Sequence, residues 1–235
     1  MSFIIAIHVS EGFVMASDSR ITFTTTEPPV NGVQSIKVGT HVSDTLYKTF
    51  LTRSGVGIST CGDSTLNNHP LAGDIEAYIN TYGDETVDQM KDSIRTFFRA
   101  LKQDLNTTFI LTGYVIDEEQ NKLIPRYYKV NIAADSVEDL SSYSAVWDGE
   151  TGVLSRLINT FYTKNQDGTY IEHPGEEILW RYFTLQDAID FARYAVQVTI
   201  DTMRFQRTVK TVGGNVDVLV IRPEGGTWIS RKELK

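Results

Sequence analysis

Glu11-Gly12-Phe13-Val14-Met15-Ala16-Ser17-Asp18-Ser19-Arg20-Ile21-Thr22 is the stretch from which the rest of this chain can be read. Just before it, residues 3–9 form a short apolar run rich in β-formers, FIIAIHV. Glu11-Gly12 reads as a tight turn, and residues 13–17 are a second apolar run, so the two runs predict a β-hairpin. The second strand leads into Asp18-Ser19-Arg20, an acid and a base one residue apart. These are either a structural ion pair closing the hairpin or part of a site. Residues 21–26 are Thr-rich and predict a further strand.

Working outward, residues 27–45 contain Pro28-Pro29, Asn31-Gly32 and Gly39 and read as a long connection with room for a short hairpin. Residues 46–53 and 56–60 predict a strand pair around Ser54-Gly55. Asp63 or Ser64 can cap a helix running to Tyr82, although Pro70 and Gly73 blur its start. Residues 86–105 predict a firmer helix, with Met90, Ile94, Phe97, Phe98, Leu101 and Leu105 at helical spacing. Strands return at 108–116, 123–132 and 144–147. Helices are predicted at 151–162 and, capped by Thr184, at 185–205, on either side of a polar excursion over 164–182. The final strands are 216–221 and 227–230. Strands, two helices, strands, two helices, strands is a segregated order, which argues α+β over alternating α/β. Two facing, mostly antiparallel sheets, each covered by a helix pair, would bury every apolar stripe. The expected fold is therefore an αββα sandwich in a single domain spanning residues 1–235.

The 235 residues carry a formal net charge of −8. That argues against a nucleic-acid partner, for which a basic face is the usual footprint, and against attraction to anionic membranes. Cys61 is the single cysteine, so no internal disulfide can form. His8, His41, His69 and His173 lack short metal-ligand spacing, and no metal or organic cofactor is implied. The N-terminal run has no basic flank and no segment is long and apolar enough to span a bilayer, so a cytoplasmic location is expected. Ser2 is small, and methionine aminopeptidase readily removes an initiator Met before a small residue.

The stretch around Asp18 resembles the opening of proteasome β-type subunits, members of the N-terminal-nucleophile hydrolases. There a glycine turn leads to an apolar strand and then Ala-x-Asp-x-Arg-x-Thr. The family's nucleophile lies 16 residues before the aspartate, which is Ser2 here. Its lysine precedes an apolar strand, as Lys48 precedes Thr49-Phe50-Leu51, and its oxyanion glycine follows 14 residues later, at Gly62. The segment Gly55-Val56-Gly57-Ile58-Ser59-Thr60-Cys61-Gly62-Asp63 is similar to the family's as well. Trp147-Asp148-Gly149 stands where the family has Gly-Ser-Gly, and Gly213-Gly214 before a strand resembles its late Gly-Gly. The resemblance is specific over residues 2–22 and 48–63 and looser elsewhere.

The resemblance implies amide-bond hydrolysis on peptides or unfolded proteins. After loss of Met1, the Ser2 hydroxyl would attack a carbonyl, with the Ser2 α-amine, of ordinary pKa about 8, as the base. Lys48 would depress that amine's pKa, Asp18 would hold Lys48, and Arg20 would support the site. The Gly62 N–H would donate to the oxyanion, a contact worth on the order of 3–4 kcal/mol. Ile21 and Thr22 would pair with substrate as an added strand, and Asp148 would approach the α-amine. The family's ring assembly and ATP-dependent unfoldase partner are implied in the same way. The chain departs from the family in three respects. Serine replaces the usual threonine, Val209 and Val212 replace an aspartate and a serine, and Asp148 replaces a serine. A structural subunit without activity and a small-molecule amidase on the same fold remain alternatives.

Overall fold

The computed structural model describes residues 2–27, 36–140 and 144–233, with backbone only for 24–27 and 36–42. Met1 and the part of the expected connection that holds Pro28-Pro29 and Asn31-Gly32 lie outside the described residues. In chain order the elements begin with β1 (Phe3–Val9), β2 (Gly12–Ser17), β3 (Ile21–Glu27), β4 (Ile36–Ser43), β5 (Thr49–Leu51), β6 (Gly57–Gly62), β7 (Thr65–Leu66) and β8 (His69–Pro70). Then follow α1 (Leu71–Tyr82), α2 (Val87–Leu101), β9 (Thr107–Asp117), β10 (Lys122–Asn131), β11 (Ser136–Asp139), β12 (Ala145–Gly149) and α3 (Gly152–Ile158). The chain closes with β13 (Phe161–Lys164), β14 (Tyr170–His173), α4 (Leu185–Phe205), β15 (Asp217–Arg222) and β16 (Gly225–Ser230).

The fold is α+β with antiparallel sheets and four α-helices among the described residues. One five-stranded sheet has the order β12-β1-β2-β15-β16, and the other has β11-β10-β9-β6-β5. Ile4, Ala6, Phe13 and Met15 of the first sheet meet Ile110 and Tyr127 of the second in one buried cluster. The opposite face of the first sheet, with Phe3, Ile5, Ile7 and Val14, packs on Ala188, Ala192, Ala195 and Val196 of α4. The outer face of the second, with Ile58, Phe109 and Leu111, packs on Ile75, Met90, Ile94 and Phe98 of α1 and α2. Both faces of β1 and β2 are therefore covered, which is why these strands read as continuous apolar runs rather than as alternations.

The helix starts follow from local chemistry. Thr86 and Thr184 each close a capping box, with Gln89 and Asp187 respectively, which satisfies otherwise orphaned N–H groups. Four expected boundaries are corrected. The helix expected from residue 63 begins at Leu71, because 65–70 form a small hairpin turned by Asn67 and Asn68, both at positive φ. Neither Asp63 nor Ser64 is its cap; Pro70 occupies that position. The second helix ends at Leu101 rather than 105, where Lys102 turns extended, and Leu105 is buried beneath it. The third ends at Ile158, and residues 161–164 leave it to pair with 170–173, so the expected polar excursion contains a hairpin turned at Asp167-Gly168. The strand expected over 46–53 is only Thr49–Leu51. The connection expected over 27–45 contributes β4, which pairs with β3.

Candidate functional site

Asp18 follows the end of β2, the central strand of the first sheet, and is fully buried. A carboxylate with no access to water needs a complete set of donors. Its Oδ1 accepts from the Lys48 ammonium at 2.7 Å and from the Phe3 N–H at 3.0 Å. Its Oδ2 accepts from the Arg20 N–H at 3.1 Å and the Gly213 N–H at 3.0 Å. One carboxylate thus ties together the residue after Ser2, the lysine before β5, the start of β3 and the late Gly-Gly. Lys48 is 1% exposed. Burial pulls its pKa below the ordinary lysine value, and the adjacent Asp18 charge opposes that shift.

Next to the pair, the Thr49 hydroxyl donates to Ser17 Oγ at 2.8 Å and lies 2.9 Å from Ser59 Oγ. These three buried hydroxyls link β2, β5 and β6 across the space between the sheets and fix the strand that carries Lys48.

Ser2 is 3% exposed and lines a cleft with Lys48, Thr60, Cys61 and Asp63. The cleft measures about 10 Å³, space for about one water. The Thr60 hydroxyl is buried there without a hydrogen-bond partner among the described residues. Gly62 ends β6 at φ +109°, and a Cβ there would lie 2.0 Å from the Asn106 carbonyl oxygen, so only glycine fits. The Asp63 N–H donates to Asn106 O on the β9 side, and the Thr60 N–H donates to Lys48 O on the other. Alternation along an antiparallel ladder therefore directs the Gly62 N–H to the edge that carries Lys48. Cys61 is buried beside these residues, and burial pushes its thiol pKa up, so it stays protonated.

The remaining expected site residues divide. The Arg20 guanidinium does not reach toward Ser2. It clamps Asp44 through two bonds of 2.7 and 2.8 Å and lies against Gly213, where a Cβ would sit 2.4 Å from the guanidinium carbon. Ile21 and Thr22 are buried at the start of β3, and the Thr22 hydroxyl donates to Lys210 O at 3.3 Å. Asp148, expected near the α-amine, has two other partners. Its carboxylate pairs with Lys129 at 2.8 Å and accepts from the Gly149 N–H. Val212 is buried in the core between the first sheet and α4, as its side chain dictates.

Contacts beyond those expected from the sequence complete the surroundings of Ser2. Gly149, at φ +91°, lies so close to Ser2 that a Cβ would meet the Ser2 carbonyl oxygen at 1.8 Å. The Glu150 N–H donates to that same oxygen at 2.8 Å, and Glu150 Oε1 accepts from the Thr211 hydroxyl at 2.9 Å. Thr211 therefore supplies a polar link where the resemblance led to an aspartate and serine. A second buried pair joins Lys232 to Asp217, which lies opposite Ser17 across the sheet. The Lys232 carbonyl accepts from Tyr47, the neighbour of Lys48, and its ammonium sits 4.4 Å from the Tyr47 ring centre. Burial lowers the Lys232 pKa as well. The signal for this pair was an acid at the head of a strand and a lysine just past the next, visible only once their register is known.

No protein-family model matches the chain, and no curated protein matches it. No helix among the described residues is long and apolar enough to cross a membrane.

Proposed function

We propose that this chain is an N-terminal-nucleophile hydrolase of the proteasome β-type, built as the four-layer αββα sandwich of that class, and that it cleaves amide bonds in peptides. The observation that carries the reading is the buried Lys48–Asp18 pair, with Asp18 also holding the backbone N–H immediately after Ser2. With Met1 removed, Ser2 presents a hydroxyl and an α-amine on one residue. The amine takes the hydroxyl proton as Oγ attacks the substrate carbonyl, and the Gly62 N–H stabilises the oxyanion. The amine then gives its proton to the leaving nitrogen, and water hydrolyses the resulting ester. The buried Lys48 ammonium keeps the α-amine neutral by charge repulsion, and Asp18 keeps the ammonium in place. Ile21 and Thr22 offer the strand edge for an extended peptide. By the same likeness, the chain assembles into a homo-oligomeric ring in the cytoplasm and receives unfolded protein from an ATP-dependent unfoldase.

A structural subunit without activity is the second reading, and the narrow cleft around Ser2 favours it. Protein beginning at Ser2 should hydrolyse fluorogenic peptide amides, and Ser2→Ala and Lys48→Ala should each abolish turnover. Turnover of simple acyl-amides alone would make the chain an amidase. No turnover of either kind, in a protein that still forms rings, would establish the structural reading.

A further inference from the structure

A cavity far larger than the Ser2 cleft lies elsewhere in the molecule. It lies between α3, the C-terminal half of α4 and the segment that follows, and measures about 760 Å³, within the usual range for small-molecule sites. Val153 and Leu157 of α3 and Val198 and Met203 of α4 form an apolar wall. Arg156 and Arg207 line the same space. Neither guanidinium has an ion-pair or hydrogen-bond partner among the described residues, in a chain where 30 acids outnumber 22 bases. Glu150 is the one acid among the described residues that lines the cavity, so two guanidinium groups against one carboxylate leave the lining net positive, and one oxygen of that carboxylate is held by the Thr211 hydroxyl. The end of α4 carries partial negative charge, but the Lys210 ammonium caps the Gln206 carbonyl there and offsets it.

From this geometry we propose that the cavity between α3 and α4 binds a small amphipathic anion, with a carboxylate or phosphate head held by Arg156 and Arg207 and an aliphatic body against Val153, Leu157, Val198 and Met203. The two arginines supply the planar, multi-donor chemistry that such oxyanions favour. The apolar wall gives a binding contribution that a bare ion would not receive. The site is separate from the Ser2 cleft, and its test does not depend on hydrolysis.

The test is calorimetric titration of the full chain with octanoate, octyl phosphate and neutral octanol, repeated on Arg156→Gln/Arg207→Gln. Both arginines are exposed, so the variant is expected to keep its fold, which circular dichroism checks. The expected result is saturable binding of at least one anion, weakened by roughly tenfold or more in the variant, with octanol binding far more weakly than either. Preference between the two anions identifies the head group. No saturable binding of either anion, unchanged binding in the variant, or octanol binding as tightly as the anions would each overturn the proposal.

Discussion

Replacing Asp18 with asparagine should damage the protein more than replacing its partner Lys48 with methionine, and the structure gives the reason. In Asp18→Asn the Lys48 ammonium loses the one carboxylate it touches while remaining 1% exposed. Leaving one member of a buried pair uncompensated costs about 3–5 kcal/mol. In Lys48→Met the Asp18 carboxylate still accepts from the backbone N–H groups of Phe3, Arg20 and Gly213. Methionine also fills much of the volume of the lysine stem, so the expected cost is roughly 1–3 kcal/mol. The double variant removes both charges and should cost less than the sum of the singles, with a coupling of about 0.5–3 kcal/mol. Urea unfolding followed by the fluorescence of Trp147, Trp180 and Trp228 reads all three variants. The Asp18→Asn loss corresponds to a drop in melting temperature of roughly 6–20 °C. A Lys48→Met protein as unstable as Asp18→Asn, or strictly additive losses, would refute the view that the backbone donors sustain Asp18 on their own.

Three further outcomes follow from contacts in the structure. Gly62→Ala combines positive φ with a Cβ 2.0 Å from Asn106 O, so it should cost about 1–3 kcal/mol and slow acylation of Ser2; unchanged peptide kinetics would remove Gly62 from the site. Gly149→Ala should displace the Ser2 carbonyl, which a Cβ would meet at 1.8 Å, and abolish the Glu150–Ser2 hydrogen bond; wild-type amide exchange at Glu150 would contradict this. The hydrogen bond to Asp74 raises the His69 pKa, so the stabilisation it gives is complete below the ordinary histidine value and is lost as pH rises through the raised value. Asp74→Asn should therefore destabilise the protein at about pH 5 and change little at about pH 9; an equal effect at both would exclude the linkage.

The parts of this molecule legible in its sequence are those set by local pattern or short spacing. The continuous apolar runs around Glu11-Gly12 predict β1 and β2, and the stripe on 188–200 predicts the buried face of α4. The resemblance selected Asp18, Lys48 and Gly62 by spacing alone; in the fold Asp18 joins Lys48 to the Phe3 N–H, Lys48 lines the cleft with Ser2, and Gly62 lies in the chain between two lining residues, Cys61 and Asp63. What the sequence hid depends on close approach between distant segments. Nothing local to Gly149 announces that the Ser2 carbonyl sits against it. The Thr211–Glu150 link joins two loops distant in sequence, and the Lys232–Asp217 link depends on the pairing of β15 with β16. Some misread boundaries did carry local signals. Asn67-Asn68 tolerates the left-handed conformation that turns 65–70 into a hairpin, and Asp167-Gly168 is a recognised hairpin turn. The partner of Asp148 was equally hidden: its carboxylate pairs with Lys129, which lies on β10 of the other sheet.

Whether Ser2 is the nucleophile is decided by intact-mass measurement of the protein from its native host, with and without a peptide epoxyketone or β-lactone. The expected result is a mass lacking Met1 and a single covalent adduct that is absent in Ser2→Ala. A protein that keeps Met1 and forms no adduct, or an adduct that persists in Ser2→Ala, would contradict it.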